Sequence, residues 1–430
     1  MSHKNRWLIA LSAIAIHVSI GSAYAYSVFK NPLSDQFGWS GQEVSLSFTI
    51  AIFFLGVSAA FFGKFVEKYG PRRSAIVAAL LFSGGLLGAG LAISMESLIG
   101  FYLTYGVIGG IGLGVGYISP VSTLVKWFPD RRGLATGMAV MGFGAGALIC
   151  SPVAAKLIES IGIANTFYVL GASYFVLMMS GALYIAKPEE GWLPAHMKGT
   201  SAQGAVKTAV KQDLAQLTVN EAVRTKRFWM LWVMMFVNIS SGIMLISVAS
   251  PMAQEKVGMT AVAAASMVGI MGLFNGGGRI AWASFSDYIG RTNVFTIFFG
   301  AQLIAFLMLP NVTSMLLFQV LIYVILTMYG GGFASLPAYI GDLFGTKQLG
   351  AIHGYLLTSW SMAGVVGPMI VAYIRDKTNN YDATFYIFAV LLAIAFLTSL
   401  AIRRDINKVR ANTTVAQAAP EAKRASLSEA

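Results

Sequence analysis

Charge and cysteine are both scarce in this sequence. Only 11% of its 430 residues are Asp, Glu, Lys or Arg, whereas 56% are hydrophobic and the mean hydropathy is +0.69. Soluble globular domains carry about 25% charged residues, so this composition excludes a soluble globular protein. A single cysteine, Cys150, excludes an intrachain disulfide and a cysteine-based metal site. Since no Ser/His/Asp arrangement, metal-ligand cluster or nucleotide-binding loop is present either, we expect no enzyme, no metal and no cofactor.

Long apolar runs are what the sequence has instead. Twelve stretches approach or exceed the roughly 20 residues that cross a bilayer, and they lie at 7–29, 44–62, 74–94, 98–125, 133–154, 164–186, 228–250, 257–285, 293–309, 315–341, 350–374 and 384–402. The first is too long for the apolar part of a signal peptide, so we expect it to be retained as a helix. The sequence therefore predicts an all-α membrane protein with twelve transmembrane helices.

The basic residues predict how these helices are oriented. If the N-terminus is cytoplasmic, 24 of the 30 Lys and Arg residues fall in cytoplasmic segments and five fall on the other side. This is the positive-inside asymmetry, and it predicts that both termini lie in the cytoplasm. The net charge of +12 is thus explained by loops at a membrane surface, and we expect no nucleic-acid partner. We expect a multi-pass protein of a bacterial inner membrane.

One long polar interruption divides the spans into six and six. We predict an N-terminal six-helix half at 1–186, a cytoplasmic linker at 187–227, a C-terminal half at 228–404 and a disordered cytoplasmic tail at 405–430. The second part of the linker has an amphipathic pattern that suits a surface helix, and its first part suits a flexible connection. Neither polar segment is long enough for a signalling domain, which argues against a sensor that transports nothing.

The two halves repeat each other. After the second span comes "GKFVEKYGPRR", and after the eighth comes "ASFSDYIGRTN", at an offset of 220 residues. The candidate gate residues of the two copies are Gly63, Glu67, Gly70, Arg72 and Arg73 in the first and Asp287, Gly290 and Arg291 in the second. A carboxylate at a helix end beside arginines can cap the N-terminus of a neighbouring helix and latch one face of the bundle. Repeated six-helix halves are typical of transporters whose substrate site lies near the midplane.

These motifs resemble those of a known family. "GKFVEKYGPRR" is similar to the loop motif of the major facilitator superfamily, with Glu67 in place of Asp and Lys68 in place of Arg. A finer resemblance is to the oxalate:formate antiporter family and its bacterial monocarboxylate (lactate and pyruvate) relatives. It rests on "GSAYAYSVFKNPL", "KWFPDRRGLATG", "RFWMLW", "NGGGR" with "SDYIGR", and "PAYIGDLFG", in that order. The resemblance implies two pseudo-symmetric six-helix halves and transport of small organic anions by alternating access.

Arg279 is the one basic residue deep inside a span. It lies eight residues before Asp287, which at 1.5 Å per residue is roughly 12 Å into the membrane. An arginine at that depth costs about 2.5 to 3.5 kcal/mol, and every acidic residue falls in a loop, a tail or at a span end. We therefore predict that a substrate carboxylate pairs with Arg279, whose planar fork suits it. The alternative is that its side chain snorkels to the cytoplasmic surface.

Aromatic and polar residues at a similar depth complete the predicted pocket, although each is also suited to helix packing. The candidates are Tyr24, Tyr117, Asn275, Tyr329, Phe333 and Trp360. The resemblance implies pocket aromatics at Tyr24, Tyr329 and Phe333. It also shows a departure, because the second pocket cation of the oxalate transporters aligns with Trp360. One cation suits one carboxylate, whereas a dianion would leave a charge unpaired at a cost of several kcal/mol. We therefore predict a monocarboxylate such as L-lactate or pyruvate, with a dicarboxylate antiporter as the closest alternative.

The coupling partner is a proton or a counter-anion, and the sequence leaves both open. His17 lies near the midplane and could titrate at physiological pH, or it could be a neutral, hydrogen-bonded side chain. Arg279 itself provides coupling if its charge must be balanced before the site closes. A cation or drug exporter of the same fold would need a buried acid, which the spans lack. We expect a monomer in the lipid bilayer.

Overall fold

The computed structural model describes residues 4–189, 192, 194 and 213–428. About half of the predicted linker at 187–227 lies outside these residues. The spans of the first half are Arg6–Gly21 continued by Ser22–Ala25 and Ser27–Phe37, then Gly41–Tyr69, Pro71–Ser94, Leu98–Phe101 continued by Tyr102–Gly109 and Gly110–Trp127, Arg132–Ile161 and Ile163–Tyr184. We number these spans 1 to 6 in chain order.

The second half has the same plan. A short linker helix, Val219–Val223, precedes Lys226–Val257, Ala261–Ile289, Arg291–Met308, Met315–Phe344, Leu349–Leu356 continued by Thr358–Thr378, and Asp382–Ser428, which are spans 7 to 12. Within the described chain, eleven helices are long and apolar enough to cross a membrane. Span 8, Ala261–Ile289, which carries Arg279, is not among these eleven and brings the number of helices in the bundle to twelve. The predicted all-α architecture of two six-helix halves is confirmed.

Helix ends follow from local sequence. Ser40 begins span 2 with a capping box, in which its hydroxyl accepts from the Glu43 backbone and the Glu43 carboxylate accepts from the Ser40 backbone. The motif glycines Gly70 and Gly290 have φ of 83° and 89°, a conformation that side chains with a Cβ rarely adopt. Each glycine ends one span and lets the next begin at the following residue.

The last helix differs from the sequence expectation. We predict disorder from Asp405 onward, whereas span 12 continues as a helix to Ser428. Seven of the 26 residues from Asp405 onward are Ala, the strongest helix former, which favours the continuation. The domain boundaries themselves stay predictions.

Two spans are interrupted close to the predicted pocket. Span 1 tightens to a 3₁₀ turn at Ser22–Ala25, which carries Tyr24. Span 11 breaks at Leu357 between its two helical segments, and Trp360 follows in the first turn of the second. Such irregular turns inside helices are often found at functional sites. Both interruptions place an aromatic side chain between the two halves.

Candidate functional site

Arg279 lies buried between the two halves, with 1% of its surface exposed. Its Nη1 donates to the backbone carbonyl of Val140 in span 5, at 3.0 Å, and its Nε is 3.4 Å from Oδ1 of Asn275 one turn earlier. The side chain therefore points across the interface and does not snorkel to the bundle surface in this structure. Among the described residues no carboxylate forms an ion pair with it.

Aromatic rings surround the guanidinium. Its Cζ lies 5.8 Å from the ring centre of Phe143 in span 5 and 5.7 Å from that of Phe333 in span 10. Both distances are within the range of a cation–π interaction. Phe333 in turn lies 4.5 Å from the ring of Trp360. A cation held between apolar rings has little competing water, so its attraction for an anion is strong.

The predicted pocket residues meet around Trp360. Its ring centre lies 5.5 Å from that of Tyr117 and 6.4 Å from that of Tyr24, both of which belong to the other half. Tyr329 contacts Phe333 at 5.4 Å. The structure thus brings together in one cluster all the substrate-binding residues that the sequence analysis names. Their role in binding stays a prediction.

Three buried polar atoms of this cluster lack a hydrogen-bond partner among the described residues. They are the hydroxyls of Tyr24 and Tyr117 and Nε1 of Trp360. A buried donor without an acceptor costs about 1 to 3 kcal/mol. A ligand that supplies an oxygen between Tyr117 and Trp360 would recover that cost for these two donors. Tyr117 and Trp360 belong to spans that face each other across the interface.

The two buried histidines flank Tyr117. His17 is fully buried, and its Nε2 lies 3.2 Å from the backbone carbonyl of Tyr117, so the hydrogen-bonded alternative describes its place in this structure. His353, from the other half, is also fully buried, with its ring 5.7 Å from that of Tyr117. Whether His17 takes part in proton coupling stays a prediction.

The three glycines before Arg279 have different surroundings. A Cβ on Gly278 would lie 2.3 Å from the backbone oxygen of Thr327, so this glycine lets span 8 pack closely against span 10. Gly276 and Gly277 have no such neighbour within 4 Å. Another glycine also permits close packing beside Arg279, because a Cβ on Gly330 would lie 2.2 Å from the backbone oxygen of Asn275. Helix packing therefore explains Gly278.

The end of the bundle where span 6 stops at Tyr184 and span 7 starts at Lys226, which we call the linker end, is closed by the repeated acids. Asp287 accepts hydrogen bonds from the backbone N–H groups of Gly133 and Leu134, at 2.9 and 3.0 Å. Glu67 accepts one from the backbone N–H of Gly350, at 2.7 Å. Each acid thus caps the N-terminus of a helix in the opposite half, which is the arrangement the repeat predicts for such a carboxylate.

The basic residues of the two motif copies differ in their surroundings. Arg291 is buried and pairs with Asp287 and, at 3.6 Å, with Asp342 at the end of span 10. Arg72 and Arg73 lie exposed at the start of span 3, away from the inter-half contacts described here. The glycines of the gate permit close helix approach, since a Cβ on Gly63 would lie 2.5 Å from the backbone oxygen of Gly350.

A segment of the linker joins this gate, which the sequence analysis did not anticipate. Leu214 and Leu217 donate backbone hydrogen bonds to the carbonyls of Asp342 and Phe344, both at 2.9 Å. Asp213 accepts from the Arg132 guanidinium of the other half at 2.5 Å. Residues 213–218, which we call the linker strap, therefore attach to one half and pair with the other.

Two repeated six-helix halves, a buried cation between them and contacts that close one end are features typical of a membrane transporter. The Major Facilitator Superfamily pattern matches residues 11–337 of the chain. An oxalate:formate antiporter of Oxalobacter formigenes is 29% identical over 397 residues, 91% of this chain and 90% of that protein. Monocarboxylate transporter 10 of Homo sapiens is 26% identical over 406 residues, 89% of this chain and 75% of that protein.

The solved structures agree on the fold. The transporter FucP, in its outward conformation, superposes with a TM-score of 0.70 at 13% identity, covering 92% of this chain and 98% of that one. The chain belongs to the Major Facilitator Superfamily and is a multi-pass membrane transporter.

Proposed function

We propose that this protein is a secondary active transporter of small monocarboxylates such as L-lactate or pyruvate, coupled to protons. The observation that carries the proposal is Arg279: a buried guanidinium, ringed by aromatic side chains, with no carboxylate partner among the described residues. Its described hydrogen bonds use Nε and Nη1, whereas a guanidinium has five N–H donors. The remaining donors suit one carboxylate in bidentate geometry.

The second polar feature of the cluster favours a substituted acid. Tyr117 and Trp360 present a hydroxyl and an indole N–H that lack partners among the described residues. A 2-hydroxy or 2-oxo acid would place its carboxylate at Arg279 and its second oxygen within reach of these donors. A plain short-chain acid would leave both donors unsatisfied, which is a penalty of about 1 to 3 kcal/mol for each. This supports lactate or pyruvate over acetate.

Alternating access would require the gate at the linker end to open and close. Arg279 already bonds to Val140 in the opposite half, so an anion bound there would contact both halves at once. Such a site is well placed to couple occupancy to rocking of the halves. A proton that accompanies the anion would leave the occupied site with balanced charge, and His17 and Arg279 are the candidates for this coupling. The positive-inside rule supports a cytoplasmic linker end in a bacterial inner membrane.

The closest alternative is a dicarboxylate antiporter, because the Oxalobacter formigenes relative carries the name oxalate:formate antiporter. Trp360 opposes it. This side chain is neutral and buried, and it lies against Phe333 where a second cation would be needed. A dianion would then hold one charge unpaired in an apolar pocket, at a cost of several kcal/mol.

The test is uptake by the purified protein in liposomes. Radiolabelled L-lactate would be followed with an inward proton gradient, and in a parallel set with vesicles preloaded with lactate or oxalate. We expect proton-driven uptake by the wild type, none by Arg279→Ala, and wild-type uptake by the control Arg403→Ala, whose side chain is exposed on span 12. Uptake that persists in Arg279→Ala would contradict the proposed site, and oxalate exchange without proton-driven uptake would favour the antiporter.

A further inference from the structure

Gly242 of span 7 lies directly behind Tyr329. A Cβ at Gly242 would lie 2.2 Å from Cδ2 and 2.6 Å from Cγ of the Tyr329 ring. No real Cβ is found that close to another atom, so any side chain at 242 must displace the ring. The clash involves the root of the ring, and therefore rotation of its far end cannot relieve it. Gly242 is buried, so the absent side chain is not explained by exposure to lipid.

The helices behind this contact are held in place. Asn238, one turn before Gly242, accepts from Nε2 of Gln302 in span 9 at 3.0 Å, and Ser241 lies 3.2 Å from Oε1 of the same glutamine. The Asn238 side chain also faces Gly332 of span 10, whose added Cβ would lie 2.4 Å from its Nδ2. Asn238, Ser241 and Gln302 are all fully buried. Separating spans 7, 9 and 10 would break a satisfied polar network in an apolar bundle, which is costly.

The other face of Tyr329 borders the candidate site. Its ring contacts Phe333 at 5.4 Å, and Phe333 lies 5.7 Å from Cζ of Arg279 and 4.5 Å from Trp360. If the ring cannot move toward span 7, it must move toward this cluster. A shift of the Tyr329 ring by about the width of a methyl group would therefore reduce the space beside Arg279.

We propose that Gly242 determines the size of anion that the site accepts, by allowing Tyr329 to sit against span 7. This inference rests on the proposed function, since it assumes that the anion lies at Arg279. Gly242 does not touch the anion and acts through Tyr329 as a positioning residue. Its lack of a side chain leaves room for the carbon chain of the substrate.

Transport of 2-oxo acids of increasing length tests the inference. Pyruvate, 2-oxobutyrate and 4-methyl-2-oxopentanoate would be compared for the wild type and Gly242→Ala in liposomes. We expect kcat/KM for the longer acids, relative to pyruvate, to fall by about tenfold or more, which is the lower effect of one methylene in a fitted pocket. The control Gly84→Ala, in span 3 with no atom within 4 Å of the added Cβ, should keep the wild-type ratio. A wild-type ratio in an active Gly242→Ala variant would overturn the inference.

A double-mutant cycle shows whether Tyr329 transmits the effect. In a Tyr329→Ala background the clash is gone, so adding Gly242→Ala should leave the size ratio unchanged. A further change in that background would contradict transmission through the ring. A structure of Gly242→Ala provides a readout that needs no substrate. The ring displaced toward Phe333 would support the inference, and spans 7 and 10 moved apart around an unmoved ring would overturn it. By contrast, wild-type protein that shows no uptake, or uptake that does not depend on Arg279, would count against the proposed function.

Discussion

Replacement of Arg279 by lysine separates the role of its charge from the role of its shape. Lysine keeps one positive charge but has no planar fork, so it cannot bind a carboxylate through two parallel N–H groups. One charge-assisted hydrogen bond is worth about 1.5 to 3 kcal/mol. At about 1.4 kcal/mol per tenfold, Arg279→Lys should weaken lactate binding about 10- to 150-fold.

The affinity would be measured by titration calorimetry on purified protein and by competition in the liposome uptake assay. Arg279→Ala should bind more weakly than Arg279→Lys, because removing one partner of a buried charge pair costs about 2 to 5 kcal/mol or more. Arg403→Lys, an exposed change of the same type, is the matched control. A lysine variant that binds lactate as tightly as the wild type would refute the bidentate geometry, even if Arg279→Ala were inactive.

Two further predictions concern the gate and the packing of the site. Asp213→Asn should weaken the pair with Arg132 by about 1 to 2 kcal/mol, a factor of roughly 5 to 30 in the closed population. Ser122 of span 4 is buried at the linker end, where a Cβ on Gly350 would lie 3.4 Å from its Oγ. Thiol labelling of Ser122→Cys in a Cys150→Ser background should therefore become faster, and an unchanged rate would show that the strap does not hold the gate. Gly330→Ala should lower thermal stability, because the added methyl group overpacks the contact between spans 8 and 10 at a cost of about 1 to 3 kcal/mol. The variant should also lose uptake in liposomes. A fully active variant would contradict the close approach of these two spans.

The central cation and the repeated acids were predictable from sequence because they follow from local rules. The length of an apolar run determines which residues lie deep in the membrane, and a charged side chain at that depth is costly unless it is paired or lines a polar cavity. The residue count predicts the depth of Arg279 in the membrane, and the structure has its side chain buried between the halves. The acids at Glu67 and Asp287 were predictable because two copies of one pattern, 220 residues apart, must occupy matching places in two matching halves.

The partners of Arg279 were not predictable in the same way. Val140 and Phe143 belong to a span in which apolar and small residues occur on every side, so the sequence has no amphipathic period that indicates which face is turned to the site. Gly242 and Gly330 have the same problem, because a glycine in a membrane helix indicates close packing without naming the neighbour. The linker strap was not predictable because it attaches to span 10 through backbone groups, which leave no pattern in the sequence, and because a single acid such as Asp213 does not indicate which basic residue it pairs with.

The two matching halves of the gate are unequal in a way that bears on how it opens. Glu67 caps span 11 and pairs with Lys126 of its own half. On the other side, Asp287 belongs to a network in which Arg132 lies 3.2 Å from Asp342 and 2.5 Å from Asp213. The contact between spans 5 and 8 therefore combines helix capping by Asp287 with ion pairs whose side chains are mostly buried. Such ion pairs are screened less by salt than exposed ones. We therefore expect the contact between spans 5 and 8 to be the stronger of the two, and the linker strap to oppose opening mainly there.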